Sequence, residues 1–160
     1  MDALKDNGVR LRFIGDRSAF KTELQNSMSR AEELTRDNSA LLLNVAVNYG
    51  GRWDITEAAR ALAHSVRNGS INPEDITESL LDSVMATRHC QDPDLFIRTG
   101  NEMRISNFLL WQSAYSEFYF SPALWPDFDA TELDQAIAAF QSRERRFGLT
   151  GKQVKGAMGA

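Results

Sequence analysis

Two arginines six residues apart, Arg98 and Arg104, flank a loop with one glycine, Gly100, and Ser106 follows two residues on. Each guanidinium donates two parallel hydrogen bonds. With loop N–H groups and a hydroxyl, the pair suits a phosphate or diphosphate dianion. Surface ion pairs with Asp94 and Glu102 are the competing reading of the same spacing. Glu117 sits in an apolar stretch, Tyr115-Ser116-Glu117-Phe118-Tyr119-Phe120, where a carboxylate has to be ion-paired, hydrogen-bonded or metal-bound. An arginine partner answers that need. So does Mg²⁺, which takes few carboxylates together with substrate phosphates. The other polar loop is Asn48-Tyr49-Gly50-Gly51-Arg52-Trp53-Asp54. It matches neither a Rossmann fingerprint nor a Walker loop. Asp54 reads as a helix N-cap, Trp53 as core, and the two glycines as a tight turn. His64, His89 and Cys90 build neither a zinc site nor a nucleophilic constellation.

These residues need elements to hold them. Val9–Ile14 is short, apolar and β-prone. Phe20, Leu24, Met28, Ala31 and Leu34 recur at helical steps behind a cap at Asp16 or Ser18. Leu41–Val47 does not alternate, which predicts a strand buried on both faces of a parallel sheet. Asp54 and Glu57 form a capping pattern for a helix that buries Ile55, Ala59, Leu62 and Val66 and ends at Gly69. Asn72-Pro73-Glu74 starts a second, short helix. Asp94–Arg98 is a third strand, Phe108–Ala114 a helical turn and Glu117–Phe120 a fourth strand. A last helix opens at Asp129, buries Leu133, Ile137 and Phe140, and stops at Gly148. The order β-α-β-α-α-β-(α)-β-α predicts an α/β fold, a mainly parallel sheet with helices on both faces. Arg98 then lies at a strand's carboxyl end, where open parallel sheets bind ligands.

The chain of 160 residues is 42% hydrophobic and 25% charged, which fits a single globular domain over residues 1–160 with a flexible tail at 149–160. One cysteine cannot form an intrachain disulfide, and a reducing cytoplasm fits that. No apolar run reaches the ~20 residues of a membrane span. From Arg143 onward five basic residues face one acid, Glu144, so the tail carries +4 and residues 1–142 carry −8. An acidic body argues against nucleic-acid binding, which needs a basic surface.

The residues from Asp94 to Phe120, with Arg98, Arg104, Ile105, Ser106 and Glu117 among them, closely resemble the signature of the cis-prenyltransferases. Asn48–Asp54, Leu124-Trp125-Pro126-Asp127-Phe128 and Arg143-Glu144-Arg145-Arg146-Phe147-Gly148 match the same family in order. The resemblance implies condensation of isopentenyl diphosphate with an allylic partner such as farnesyl diphosphate, assisted by Mg²⁺, giving a cis-polyprenyl diphosphate for a cell-wall lipid carrier. It implies that Arg98 and the run Arg104-Ile105-Ser106 hold the diphosphate of isopentenyl diphosphate, and that Glu117 binds metal. Arg146, Phe147 and Gly148 correspond to a stretch that reaches across the family's homodimer interface; for Asp54 a structural role is expected. Asn101 and Met103 depart from the glycine and histidine that members often carry, and Met103 cannot relay a proton. The family's Met-Asp-Gly-Asn-Gly-Arg-Trp block, with its catalytic aspartate, is not found. Roughly 90 residues of a typical ~250-residue member are therefore expected to be missing, and the chain alone is expected to turn over poorly. A module that only holds isopentenyl diphosphate, or a subunit that completes a partner's site, is the alternative.

Overall fold

The computed structural model describes Leu4 and residues 6–143. Its elements are β1 (Val9–Ile14), α1 (Thr22–Leu34), β2 (Leu41–Ala46), α2 (Gly51–Arg67), α3 (Glu78–Asp82), β3 (Leu95–Arg98), β4 (Glu117–Phe120) and α4 (Ala130–Gln141). Short 3-10 turns at Arg17–Ala19, Pro73–Asp75 and Trp125–Asp127 punctuate them. The chain divides into two compact units, residues 1–91 with 107–109, and residues 92–106 with 110–160. Arg146, Phe147, Gly148 and the 149–160 tail lie outside the described residues. Among the described residues no helix is long and apolar enough to cross a membrane.

In the first unit β1 and β2 pair in parallel, from Val9↔Leu41 to Ile14↔Ala46. Val9, Leu11 and Ile14 on β1 and Met28 and Ala31 on α1 are buried, which builds the core between strand and helix. The outer edge of β1 is closed by side chains of and beside that helix. The Leu11 amide donates to Thr35 Oγ1 at 3.0 Å and the Phe13 amide to Glu32 Oε1 at 2.8 Å. Arg17 in turn donates to Glu32 Oε2 at 2.7 Å. Burial works against the Glu32 charge, yet the Arg17 hydrogen bond, the Phe13 amide and the Arg17 and Arg12 charges together hold its carboxyl below the usual range.

Four local expectations change here. Asp16 caps the 3-10 turn, accepting from the Ser18 amide at 2.9 Å, and α1 begins only at Thr22. β2 is not buried on both faces: Leu41 is 58% and Leu43 39% exposed. An apolar run records what a strand is suited to bury, and in this unit one strand alone, β1, pairs with it among the described residues. The buried face of α2 is Gly51, Asp54, Ala58 and Leu62; of the expected stripe Leu62 is buried, Ile55 and Val66 are half-buried and Ala59 is exposed, with Asp54 turned inward by its bonds to Tyr49 and Ala86. After Asn72–Pro73 the chain makes a 3-10 turn, and α3 is capped separately by Thr77, which accepts from Leu80 N at 3.2 Å.

In the second unit β3 and β4 pair in parallel, Leu95↔Glu117 to Arg98↔Phe120. Phe96 and Phe118 pack with ring centroids 5.1 Å apart. α4 is capped at Asp129, which accepts from Thr131 and Glu132 amides at 2.9 and 3.1 Å. Ala136 is its buried residue, while the expected core residues Leu133 and Ile137 are exposed. Glu132 does not return to the cap; it accepts from the fully buried Ser121 hydroxyl at 2.7 Å, and that bond fixes which helix face turns inward. Phe108–Ala114 forms turns rather than helix, with Leu109 at φ 46°.

Candidate functional site

Arg98 ends β3, and its carbonyl accepts from Ser121 N at 2.8 Å. The chain then turns sharply. Gly100 (φ 80°) donates to Ala123 O at 2.7 Å and Asn101 (φ 57°) to Ser121 O at 3.0 Å. The Gly100 position requires the left-handed region, which glycine enters without strain. The start of the loop is thus tied to the segment that leaves β4. The Arg98 guanidinium is half-buried and makes no ion pair or hydrogen bond among the described residues. Arg104 is 67% exposed and pairs with Glu102 at 2.5 Å. The two arginines therefore differ. One carries the surface pair weighed from the spacing, and the other does not pair with Asp94. Met103 is exposed, Ile105 half-buried and Ser106 exposed.

Ser106 and Asn107 both take positive φ, 46° and 63°. Two consecutive non-glycine residues in the left-handed region cost of order 1 kcal/mol each, strain of a kind concentrated at ligand clamps. Arg98, Arg104, Ile105 and Ser106 belong to the second unit; Asn107 belongs to the first.

Glu117 opens β4, in register with Leu95, whereas Arg98 is in register with Phe120. Three strand residues separate the two ends, about 10 Å along the strand. Glu117 Oε2 accepts from Arg143 Nη1 at 2.7 Å. The structure thus sets Glu117 at the opposite end of the strand pair from Arg98. Among the described residues no group of three or more His, Cys, Asp or Glu is placed to hold a metal ion. Glu117 offers one carboxylate oxygen pair, already engaged, so these residues do not by themselves fit a Mg²⁺ site.

In the first unit, Asp54 is not the cap of α2. Gly50 is the N-cap residue, and Asp54 lies one turn into the helix, 2% exposed. Its Oδ2 accepts from the Tyr49 hydroxyl at 2.8 Å and its Oδ1 from Ala86 N at 2.9 Å. The carboxylate serves a structural role by joining the Gly-Gly turn to the segment after α3. The capping acceptors come from Asn107. Gly51 N donates to its carbonyl at 2.6 Å and Arg52 N to its Oδ1 at 2.9 Å. A Cβ at Gly50 would lie 2.7 Å from Asn107 Nδ2, which explains the glycine. Tyr49 packs edge-on to Trp53 and to Phe108, with centroids 6.2 and 5.7 Å away. Sequence reasoning missed Asn107. Its only signal was the Ser-Asn pair closing the arginine loop, and a cap 55 residues away leaves no local pattern.

His89 shares a 2.8 Å hydrogen bond with Asn44 Oδ1, and His64 one with Arg67 at 2.8 Å. Burial pushes the His89 pKa down, and the charges of Arg12, Arg88 and Arg10 add to that.

The prenyltransferase family model, described as undecaprenyl diphosphate synthase, matches residues 1–148. A ditrans,polycis-undecaprenyl-diphosphate synthase ((2E,6E)-farnesyl-diphosphate specific) of Vibrio parahaemolyticus is 52% identical over 157 residues, covering 98% of this chain and 62% of that protein. One of Pseudomonas putida is 53% identical over 152 residues, covering 95% of this chain and 61% of that protein. Lavandulyl diphosphate synthase from Lavandula x intermedia, solved in complex with dimethylallyl diphosphate, superposes with a TM-score of 0.89 at 40% identity, covering 92% of this chain and 64% of that chain. The chain spans about three-fifths of the length of the relatives it matches.

Proposed function

The chain belongs to the cis-prenyltransferase family, and from that premise we propose that it holds isopentenyl diphosphate for condensation with an allylic diphosphate. Farnesyl diphosphate is the allylic partner and undecaprenyl diphosphate the product, in line with the relatives' names. In that reaction C4 of isopentenyl diphosphate bonds to C1 of the allylic substrate. The allylic C–O bond breaks, inorganic diphosphate leaves, and a proton is lost from C2 with a cis double bond.

The part this chain plays is positioning. Arg98 at the end of β3, Arg104, the Ile105 backbone and the Ser106 hydroxyl hold the diphosphate that does not leave. Fixing that end brings C4 to the reacting carbon without a loss of freedom at the moment of reaction. The observation that carries this reading is Arg98, a half-buried guanidinium that has no counter-charge among the described residues, at the carboxyl end of a parallel strand. Mg²⁺ is the family's cation. Because Glu117 is paired with Arg143 and stands at the other strand end, further donors must come from the substrate diphosphate and from carboxylates other than those described. The Met-Asp-Gly-Asn-Gly-Arg-Trp block is absent from the 160 residues. The second reading for the isolated chain is a module that binds isopentenyl diphosphate and elongates only when the aspartate is supplied. We place it in the cytoplasm, as a homodimer.

Calorimetric titration of isopentenyl diphosphate into wild type, Arg98→Ala and Arg104→Lys tests the site. A charge-assisted bond contributes roughly 1.5–3 kcal/mol, so Arg98→Ala should weaken binding about 10- to 150-fold. Arg104→Lys should lose part of that, because an ammonium lacks the fork. Equal affinities across the three would refute the assignment.

A further inference from the structure

The first unit carries a second group of arginines, two of which make no direct ion pair among the described residues. Arg10 and Arg12 are two apart on β1 and so point to one face of it. Both are half-buried, and neither makes an ion pair or hydrogen bond among the described residues. Arg12 lines a cavity of about 270 Å³ together with Gly15, Trp53, Arg88 and His89. Arg10 and Arg12 also line an adjoining hollow of about 350 Å³. The first cavity opens at Ile14 and Gly15, the carboxyl end of β1, where parallel sheets take ligands.

The acids around it are already engaged. Glu32 accepts from Arg17 and the Phe13 amide, Asp54 from Tyr49 and Ala86, and Glu57 from Arg60. Arg88 reaches the Met85 carbonyl at 3.3 Å, a neutral partner. Glu32 acts on Arg12 only at a distance, so the half-buried guanidinium lacks a hydrogen-bonding acceptor, which an oxyanion entering the cavity supplies. At His89, beside burial, the Arg12, Arg88 and Arg10 charges disfavour protonation and Glu32 favours it.

We propose that Arg12 and Arg88, with Arg10 on the same strand face and His89 at the wall, form a second oxyanion site that takes a diphosphate group. It shares no residue with the Arg98–Ser106 loop and stands whether or not that loop binds isopentenyl diphosphate.

The two histidines make the site readable. In an Arg98→Gln/Arg104→Gln background, which removes the two arginines of the other loop, the ring protons of His89 and His64 are followed by NMR across pH, with and without inorganic pyrophosphate. A bound dianion should raise the His89 midpoint by roughly half to one pH unit. His64, at the exposed end of α2, lies outside the cavity lining and serves as the control ring. Adding Arg12→Gln or Arg88→Gln should weaken pyrophosphate about tenfold or more and remove the shift. Arg88 is exposed, so its variant keeps the measurement available if Arg12→Gln folds poorly. The proposal is overturned if the His89 midpoint stands still, if potassium chloride at matched ionic strength moves it as far, or if the shift survives in the Arg88→Gln variant.

Discussion

Asp54 accepts from the Tyr49 hydroxyl and the Ala86 amide in a position closed to water, so Asp54→Ala leaves both donors without that acceptor. Each orphaned buried donor costs about 1–3 kcal/mol. The variant should lower the urea midpoint accordingly, with Asp54→Asn losing less because one oxygen remains. His89 sets a pH dependence of a definite sign. Its folded pKa lies below its unfolded one, so the unfolded chain takes up the proton more readily. Stability is therefore complete above the ordinary histidine range and falls as pH drops through about 6.5. Urea titrations at pH 7.5 and 5.5 should show that loss in wild type and a smaller one in His89→Gln. Glu32 acts in a lower window: its depressed pKa stabilises the fold above the usual glutamate value, and that contribution is lost as pH falls through the folded pKa.

At the scale of elements, α2 starts where it does because Asn107 provides both acceptors, the carbonyl for Gly51 and Oδ1 for Arg52. Asn107→Ala should cost about 0.5–2 kcal/mol, as cap deletions do, and amide exchange should speed up at Arg52 more than at the helix centre. The order of elements and the parallel pairing were readable from periodicity, because 2-fold and 3.6-fold patterns are written locally. β1, β4 and the Asp129 cap all fall where their residues place them. What was not readable was set by distant partners. Asp54 with Glu57 looks like a cap to any local rule, yet Asn107 takes that place and frees Asp54 for Tyr49 and Ala86. The inward face of α4 follows from the Ser121–Glu132 bond, and the opening of the Leu41–Leu43 face from what lies next to β2; neither is a property of the segment itself. The candidate site was legible as an arginine loop, since its members are adjacent in sequence. The separation of Glu117 from Arg98 by the length of a strand appears only once register is known.

Taken whole, the chain offers exposed apolar surface at Leu41 and Leu43 and a β2 edge with no partner among the described residues. Sedimentation at micromolar concentration should show self-association rather than a monomer. On the binding-module reading, incubation with farnesyl diphosphate, labelled isopentenyl diphosphate and Mg²⁺ should give little elongation; efficient elongation would contradict the proposed division of roles. The closed edge of β1 limits how that association proceeds. A fibril propagates only when every sheet presents two live margins, one to receive a strand and one to offer the next. Here Thr35 and Glu32 occupy the amides of Leu11 and Phe13, leaving one live margin, β2. Two copies can zip together through this sheet, and a third then finds no template, so β-type polymerisation through the first unit terminates at a pair.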